Sequence, residues 1–358
     1  MPRDKEYMRR CFELALKGAG YASPNPLVGS VIVKNGKVIA EGYHKKYGAY
    51  HGERDAINNA LKKGINLKGA ELYVNLEPCA HFGKTPPCAE LIVEHKFSRV
   101  VIGCKDPYYK VAGKGIKILK KAGIKVITGV LEKEAKALNK FFIKHVTTGL
   151  PYIMLKAAQT LDGKIADDKY RSKWISSEES RKTVHIMRSI YDAVLVGANT
   201  VRYDNPMLNV RNVHGRDPYR IIIDNELSLG LNYNVFKNNK DEKVIVLTSV
   251  KPGSKKVLPL LKKSIKVIHC KTKKGGIDLK DALRKLGELG MSSIMVEGGS
   301  HTYNGFIKEK LVDETYIFIA PKVMGNGITA FKDKNAFDEL KQIHYFPSGS
   351  DILVNLKK

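Results

Sequence analysis

His51 and Glu53 stand two residues apart, and Cys79 and Cys88 lie nine positions apart farther along the chain. One imidazole and two thiolates are borderline-soft ligands of the kind that suit zinc. Three protein ligands leave a fourth position open for water, which is the catalytic arrangement; a structural site is closed by four. Metal-held water is acidic enough to supply hydroxide near neutral pH. A carboxylate at Glu53, close to the metal but not needed as a ligand, can take the water's proton and pass it to a leaving amine. Two plainer readings compete. His81, between the cysteines, could be a fourth ligand and close the site, or the cysteines could simply be buried without metal.

The elements around these residues favour the catalytic reading. Glu53–Lys63 reads as a helix starting just past His51, and Glu71–Leu76 reads as a strand ending just before Pro78-Cys79. Pro86-Pro87 opens a helix over Cys88–His95. Helix starts favour the thiolate form of cysteine. Zinc deaminases carry an H-x-E … P-C-x-x-C arrangement with these roles. The present chain departs from it, with eight residues rather than two between the cysteines.

The rest of the first 130 residues supplies a scaffold. Residues 4–18 have apolar side chains at helical spacing, from Tyr7 to Leu16. Leu27–Val33 and Lys37–Glu41 flank Asn35-Gly36, a strong hairpin signal. Val100–Gly103, Lys114–Ala122 and Lys125–Gly129 read as strand, helix and strand. Helices alternating with strands imply an α/β sandwich with a largely parallel sheet. Gly113-Lys114-Gly115 is not a dinucleotide fingerprint, because Ile118 replaces the third glycine.

The pattern then restarts. Glu132–His145 reads as one helix, and Thr147-Thr148-Gly149 with Pro151 marks a boundary between residues 1–147 and 148–358. Strands are expected at Tyr152–Ala157, Ala193–Val196, Arg220–Ile223, Lys243–Leu247, Ile265–His269, Ser293–Val296 and Glu314–Ile319. Helices are expected over Ser177–Ser189, which opens with a hydroxyl cap and two acids, and over Leu279–Leu289. Glu297-Gly298-Gly299-Ser300 joins a strand to a helix over Tyr303–Glu309. Such a turn lets backbone N–H groups approach a pyrophosphate, although a Gly-Gly turn with no ligand is equally common.

Composition narrows the classes. The chain has 358 residues, 43% of them hydrophobic, and reads as two globular domains rather than a disordered segment. No apolar run approaches the ~18 residues of a membrane helix. The charged N-terminus does not look like a signal peptide, so a cytoplasmic protein is expected. Five cysteines do not make a disulfide framework. Lys+Arg 62 against Asp+Glu 36 leaves +26. That field would attract nucleic acid or small phosphorylated ligands. A lysine-rich solvated surface is the preferred reading, because the lysines are interspersed rather than gathered in one tail.

The insert Cys79-Ala80-His81-Phe82-Gly83-Lys84-Thr85-Pro86-Pro87-Cys88 resembles that of riboflavin-pathway pyrimidine deaminases. Asn25-Pro26-Leu27-Val28-Gly29, Asp106-Pro107 and Val111–Gly115 resemble their loops too. Nearly the whole chain is similar to the bifunctional deaminase–reductases of riboflavin biosynthesis. The resemblance implies a cytidine-deaminase-like α/β/α sandwich followed by a dihydrofolate-reductase-like α/β domain. It implies zinc on His51, Cys79 and Cys88, Glu53 as proton shuttle, and substrate contacts at Asn25, His44, His81 and Lys84.

In the second half it implies NADPH at Ala158, Trp174, Thr200, Asp204 and Gly299, Ser300, His301, Thr302, Tyr303, Asn304 and Gly305. It implies substrate at Ser172, Arg188, Leu208, Arg211 and Glu297, with Lys156, Asp204 and Glu297 near the reacting ribose. Leu161–Ala166 also resembles a family signature. Arg188 and Arg211 suit a phosphate, since a guanidinium fork matches its oxygens.

The implied reactions are hydrolytic removal of the 2-amino group of a diaminopyrimidinone ribosylamino 5′-phosphate, then hydride reduction of its ribosyl to a ribityl chain. The implied partner is that small phosphorylated pyrimidine, with no membrane and no nucleic acid, and with self-association through the reductase half. The rival is a nucleic-acid-editing zinc deaminase with an accessory domain, which the charge favours and the second domain disfavours. No arginine or lysine can be assigned to a 2′-phosphate from the sequence, so NADPH over NADH does not follow from residues alone.

Overall fold

A computed structural model describes residues 2–80, 86–108, 112–332, 336–338 and 341–358. The chain forms two compact units, residues 1–149 and 150–358.

The first unit begins with α1 (Pro2–Leu16), β1 (Gly29–Lys34) and β2 (Lys37–Tyr43). Asn35 and Gly36 both take positive φ, 52° and 73°, as a tight hairpin turn requires. Next come α2 (Gly52–Leu61), β3 (Glu71–Leu76), α3 (Cys88–Glu94), β4 (Arg99–Cys104), α4 (Lys114–Lys121) and β5 (Lys125–Thr128). The unit ends with α5 (Glu132–Leu138) and α6 (Lys140–Thr148). The sheet order is β2-β1-β3-β4-β5.

Alternation along the strands makes three layers. Val31, Val33, Tyr73 and Val101 pack with Met8, Cys11 and Leu14 of α1. Ile32, Leu72, Val74 and Ile102 pack on the other face with Ile57 of α2, Ile92 of α3 and Leu119 of α4. The sheet is mixed rather than largely parallel. β1 runs antiparallel to both neighbours, and only β3, β4 and β5 are mutually parallel. The single helix expected over 132–145 is two helices. Asn139 breaks it and spends its side chain on the backbone N–H and C=O of Leu27, at 2.8 and 3.0 Å.

The second unit contains β6 (Tyr152–Thr160), β7 (Lys164–Ala166), α7 (Glu178–Ile190), β8 (Ala193–Gly197), α8 (Ala198–Asp204), β9 (Tyr219–Ile223), β10 (Val244–Thr248) and β11 (Lys266–His269). It continues with α9 (Leu279–Glu288), β12 (Ser293–Val296), α10 (Ser300–Lys308), β13 (Glu314–Ala320), β14 (Gln342–Ser348) and β15 (Asp351–Lys357). Among the described residues one sheet has nine strands, ordered β11-β10-β9-β8-β12-β6-β13-β15-β14. It is parallel from β11 to β13 and antiparallel beyond.

Residues 153, 155 and 157 of β6 enter the main core. Lys156 and Ala158 therefore lie on the opposite face. The Ser177 hydroxyl caps α7 by accepting the Ser180 N–H at 3.2 Å.

Candidate functional site

In the first unit, α2 is drawn tightly against the sheet. A Cβ on Gly42 would lie 2.2 Å from the Ala56 nitrogen. That close approach fixes the start of α2, where His51 is the N-cap residue and Glu53 lies in the first turn. Cys79 follows β3, and Cys88 opens α3.

The three side chains converge. His51 Nδ1 lies 3.5 Å from Cys79 Sγ and 3.6 Å from Cys88 Sγ. Tetrahedral bonds of ~2.3 Å to sulfur and ~2.0 Å to nitrogen place such atoms about 3.6 Å apart, so the trio fits zinc. The Cys88 N–H also donates to Cys79 Sγ at 3.3 Å. Cys79 is the sulfur held below its ordinary range, by the hydrogen bond with Cys88 and by His51, while the same contact raises Cys88.

Glu53 is 2% exposed, and its Oε2 has no partner among the described residues. Burial pushes its carboxyl up to about 7. A buried oxygen with no donor among the described residues fits a site that bound water would complete.

Beside the trio, the His44 and His51 rings meet edge-on with centroids 5.3 Å apart. His44 Nδ1 donates to the Tyr50 carbonyl at 2.9 Å, which leaves Nε2 to accept from Asn25 Nδ2 at 3.1 Å. Burial lowers the His44 pKa, in keeping with a neutral ring. The Asn25 loop is clamped by Asn75, whose amide donates to the Leu27 carbonyl at 2.8 Å and accepts the Gly29 N–H at 2.8 Å. His81 and Lys84 lie outside the described residues.

Two positioning carboxamides, Asn75 and Asn139, and one carboxylate, Glu77, escaped the sequence reading. Glu77 is 3% exposed and accepts the backbone N–H groups of Asp106, Gly113 and Ile116 at 3.2, 3.0 and 3.2 Å. A Cβ on Gly115 would lie 2.0 Å from the Pro78 carbonyl. The start of α4 is thus pressed on the segment that carries Cys79. Only the adjacency of Glu77 to Pro78-Cys79 could have signalled this.

In the second unit, functional residues gather where β6, β8 and β12 end. Ligands of open α/β sheets bind at the carboxyl ends of strands. A cavity of about 690 Å³ is lined by Lys156, Ala158, Ser172, Trp174, Arg188, Thr200, Asp204, Leu208, Arg211, Glu297, Gly299 and Tyr303. A second cavity of about 1370 Å³ includes Thr200, Asp204, Gly299, Ser300, His301, Thr302 and Gly305. Ser172, Thr200, Asp204 and Gly299 border both.

The glycines of the β12–α10 turn serve close approach. A Cβ on Gly298 would lie 2.7 Å from Thr302 Cβ, and one on Gly197 2.7 Å from Thr302 Oγ1. The Gly299 N–H donates to Thr200 Oγ1 at 3.1 Å. Among the described residues no side chain caps α10 at Gly299, and Gly299, Ser300, His301 and Thr302 line the larger cavity, as an anion site at a helix start would need.

Arg188 and Glu297, both lining the smaller cavity, form an ion pair. Arg188 binds Glu297 through both Nε and Nη2 and gives Nη1 to the Asn209 carbonyl at 3.1 Å. The sequence offered Arg188 as a phosphate partner; its fork is taken by Glu297. Arg211 donates Nη1 to Asn209 Oδ1, and its backbone N–H donates to His185 Nδ1 at 3.1 Å. Asp204 accepts from the Ser172 hydroxyl at 2.7 Å. Lys156 has a pKa lowered by burial against the pull of Glu297.

The remaining expected residues differ in exposure and partners. Trp174 is 64% exposed, with the Arg181 guanidinium 4.7 Å from its ring centroid, so it is not a core residue. Tyr303 is buried and donates its hydroxyl to the Lys156 carbonyl at 2.6 Å. Asn304 spends its amide on Ser300, Ala330 and Lys332. Asp162, in the family-like segment, accepts the N–H groups of Met324 and Gly325.

Fold and site together define a two-part enzyme, a zinc-type deaminase unit followed by a reductase unit. The family described as cytidine and deoxycytidylate deaminase zinc-binding region matches residues 1–104, and that described as RibD C-terminal domain matches residues 151–354. Riboflavin biosynthesis protein RibD of Aquifex aeolicus is 47% identical over 327 residues, 91% of this chain and 89% of the relative. That of Bacillus amyloliquefaciens is 42% identical over 326 residues, 91% and 86% of the two chains. The solved diaminohydroxyphosphoribosylaminopyrimidine deaminase/5-amino-6-(5-phosphoribosylamino)uracil reductase of Thermotoga maritima superposes with a TM-score of 0.90 at 42% identity, over 99% and 98% of the chains. Acinetobacter baumannii RibD gives 0.88 at 35% identity, over 99% of each.

The chain belongs to the RibD family, the bifunctional deaminase–reductases of riboflavin biosynthesis. The nucleic-acid-editing alternative is set aside.

Proposed function

We propose that residues 1–147 deaminate the 2-amino group of the diaminopyrimidinone ribosylamino 5′-phosphate and that residues 148–358 then reduce its ribosyl group. The observation that carries the first step is Glu53, a buried carboxylate with one oxygen unpartnered, two residues from His51. His51, Cys79 and Cys88 would hold zinc, whose Lewis acidity makes water a nucleophile at neutral pH. Glu53 Oε2 takes the water's proton and returns it to the departing amine. A buried carboxylate placed beside that water can do both. Asn25 is oriented by His44 so that its Oδ1 is left to accept from the pyrimidine. Lys84 would meet the phosphate, as the resemblance implies.

In the second unit the larger cavity would take the dinucleotide, with Gly299 and the α10 start to hold its pyrophosphate. The smaller takes the ribosylamino chain. Bound there, NADPH would supply a hydride for C1′ of the opened, imine-like sugar, and Thr200, Asp204 and Gly299, which line both cavities, would orient the two. The adjacent nitrogen needs a proton, which Lys156 or Asp204, both lining the smaller cavity, would supply. Ala158, Trp174 and the 299–305 segment flank the cofactor, and Ser172, Leu208, Arg211 and the Arg188–Glu297 pair flank the substrate.

Self-association through the second unit is supported by its edge strand. β14 exposes Ile343, Tyr345 and Phe346, an apolar edge of the kind usually covered. A cytoplasmic setting is supported by five free cysteines. No described helix is long and apolar enough to cross a membrane.

The test is a coupled assay on zinc-loaded protein that follows ammonia release with and without NADPH. Ammonia without NADPH, followed by matching oxidation once NADPH is added, is the expected result. Oxidation preceding ammonia would reverse the proposed order.

A further inference from the structure

We infer that His185 is a positioning residue for the reduction: it seats the loop that carries Arg211, and through that loop it sets how well the second unit recognises the 5′-phosphate of its substrate. This rests on the smaller cavity being the substrate site.

α8 ends at Asp204 and β9 begins at Tyr219. The residues between them form no helix or strand, yet they bring Leu208 and Arg211 to the wall of the smaller cavity. Asn205, Leu208 and Asn212 take φ of 43°, 57° and 62°. Residues other than glycine adopt that left-handed region at a cost, so partners must hold the path.

The start of the loop is tied by Asn205 Oδ1, which accepts the Asn234 N–H at 2.7 Å. Farther on, the Val210 N–H donates to Asp217 Oδ1 at 2.7 Å. The remaining ties come from α7, where His185 and Arg188 stand three residues apart and so share a face. Arg188 gives Nη1 to the Asn209 carbonyl at 3.1 Å, and His185 Nδ1 accepts the Arg211 N–H at 3.1 Å. Only the histidine holds the backbone of Arg211 itself. It is 8% exposed and lines the smaller cavity beside that arginine.

The guanidinium placed in this way is the one with charge to spare. Arg188 spends its fork on Glu297. Arg211 pairs with no carboxylate among the described residues, and its Nη1 rests on the neutral Asn209 Oδ1. A guanidinium held on a neutral partner keeps its charge for a phosphate. Its contact depends on direction, so the backbone that aims it matters. Without an acceptor at position 185 the Arg211 N–H is unpaired and the aim of the side chain is lost.

The test follows NADPH oxidation by the full-length protein on the deaminated substrate with and without its 5′-phosphate. The wild type should prefer the phosphorylated form. His185→Leu and His185→Phe cannot accept an N–H. Each should raise KM for the phosphorylated form by roughly 3- to 20-fold, the range one hydrogen bond supports, with kcat little changed. kcat/KM for the dephosphorylated form should not move. His185→Gln, whose Oε1 can accept, should recover most of the loss. Arg211→Gln should cost more, and adding His185→Leu to it should cost nothing further, because the two residues serve one contact.

Losses that add in the double variant would overturn the inference, and so would an equal loss on both substrates, the mark of a merely structural residue. A wild type that reduces both forms equally removes the phosphate seat, and the inference with it, while the reduction stands. A wild type that oxidises no NADPH on either form removes the reading of the second unit itself. Thermal unfolding curves check that each variant is folded, and if the leucine variant is not, the phenylalanine variant carries the test.

Discussion

Arg188 closes on Glu297 through two parallel hydrogen bonds, Nε to Oε1 at 2.7 Å and Nη2 to Oε2 at 2.8 Å, across 109 residues of sequence. The side chains are 11% and 9% exposed. Both charges have left water, so the pair is coupled: removing one partner strands the other. Glu297→Leu should lower stability by about 3–5 kcal/mol. Arg188→Met with Glu297→Leu should recover much of that while NADPH oxidation on deaminated substrate stays lost. Denaturant unfolding beside the reductase assay separates the two effects. A double variant as unstable as the single one would contradict the coupling.

Glu53 makes the sharpest prediction for the first unit. Glu53→Gln keeps the shape of the side chain and removes its ability to cycle a proton. Ammonia release should fall by roughly 10²- to 10⁴-fold, the usual worth of positioned acid–base catalysis. Bound zinc, measured by elemental analysis, should be unchanged. NADPH oxidation on pre-deaminated substrate should be spared. Loss of both activities in folded, zinc-loaded protein would speak against two separate sites.

Much of this was legible from local sequence. The convergence of His51, Cys79 and Cys88 could be read because each sits at an element boundary that the chain itself marks: His51 before α2, Cys79 after β3 and Cys88 behind Pro86-Pro87. The Asn35-Gly36 hairpin and the Ser177 cap are local in the same way. What escaped depends on distant partners. The break at Asn139 exists because that side chain serves Leu27, 112 residues away. The Arg188–Glu297 pair redirected an arginine whose type alone suggested phosphate. The terminal strand β14 was missed because six of its seven residues are exposed, which removes the half-buried alternation that marks a strand.

Glu77 tests how far the metal loop depends on its surroundings. Its carboxylate satisfies three backbone N–H groups, two in the β4–α4 loop and one in the first turn of α4. Glu77→Ala would leave them unpaired in a buried site, at about 1–3 kcal/mol each. The expected result is faster zinc loss to a chelator, a lower melting temperature of the first unit and weaker ammonia release. The second unit's NADPH affinity should not move. Zinc loss at the wild-type rate would mean that Cys79 is held without help from this carboxylate.

His185 gives a pH dependence with a definite sign. Burial, with Arg188 and Arg211 nearby, pushes its pKa down to about 4. Its Nδ1 must stay unprotonated to accept the Arg211 N–H at 3.1 Å. In the unfolded chain a histidine titrates near ~6.5, so between roughly pH 6.5 and 4 the unfolded state binds more protons than the folded one. The stability this neutral ring contributes is fully present above about 6.5 and is lost as pH falls toward 4. His185→Gln removes the titrating group, so the gap between wild-type and variant melting temperatures should shift in the variant's favour as pH drops from 7 to 4.5. Trp174, the chain's one tryptophan, lies in the second unit and provides the fluorescence signal. A gap that stays constant over this range would show that the folded and unfolded states protonate His185 alike.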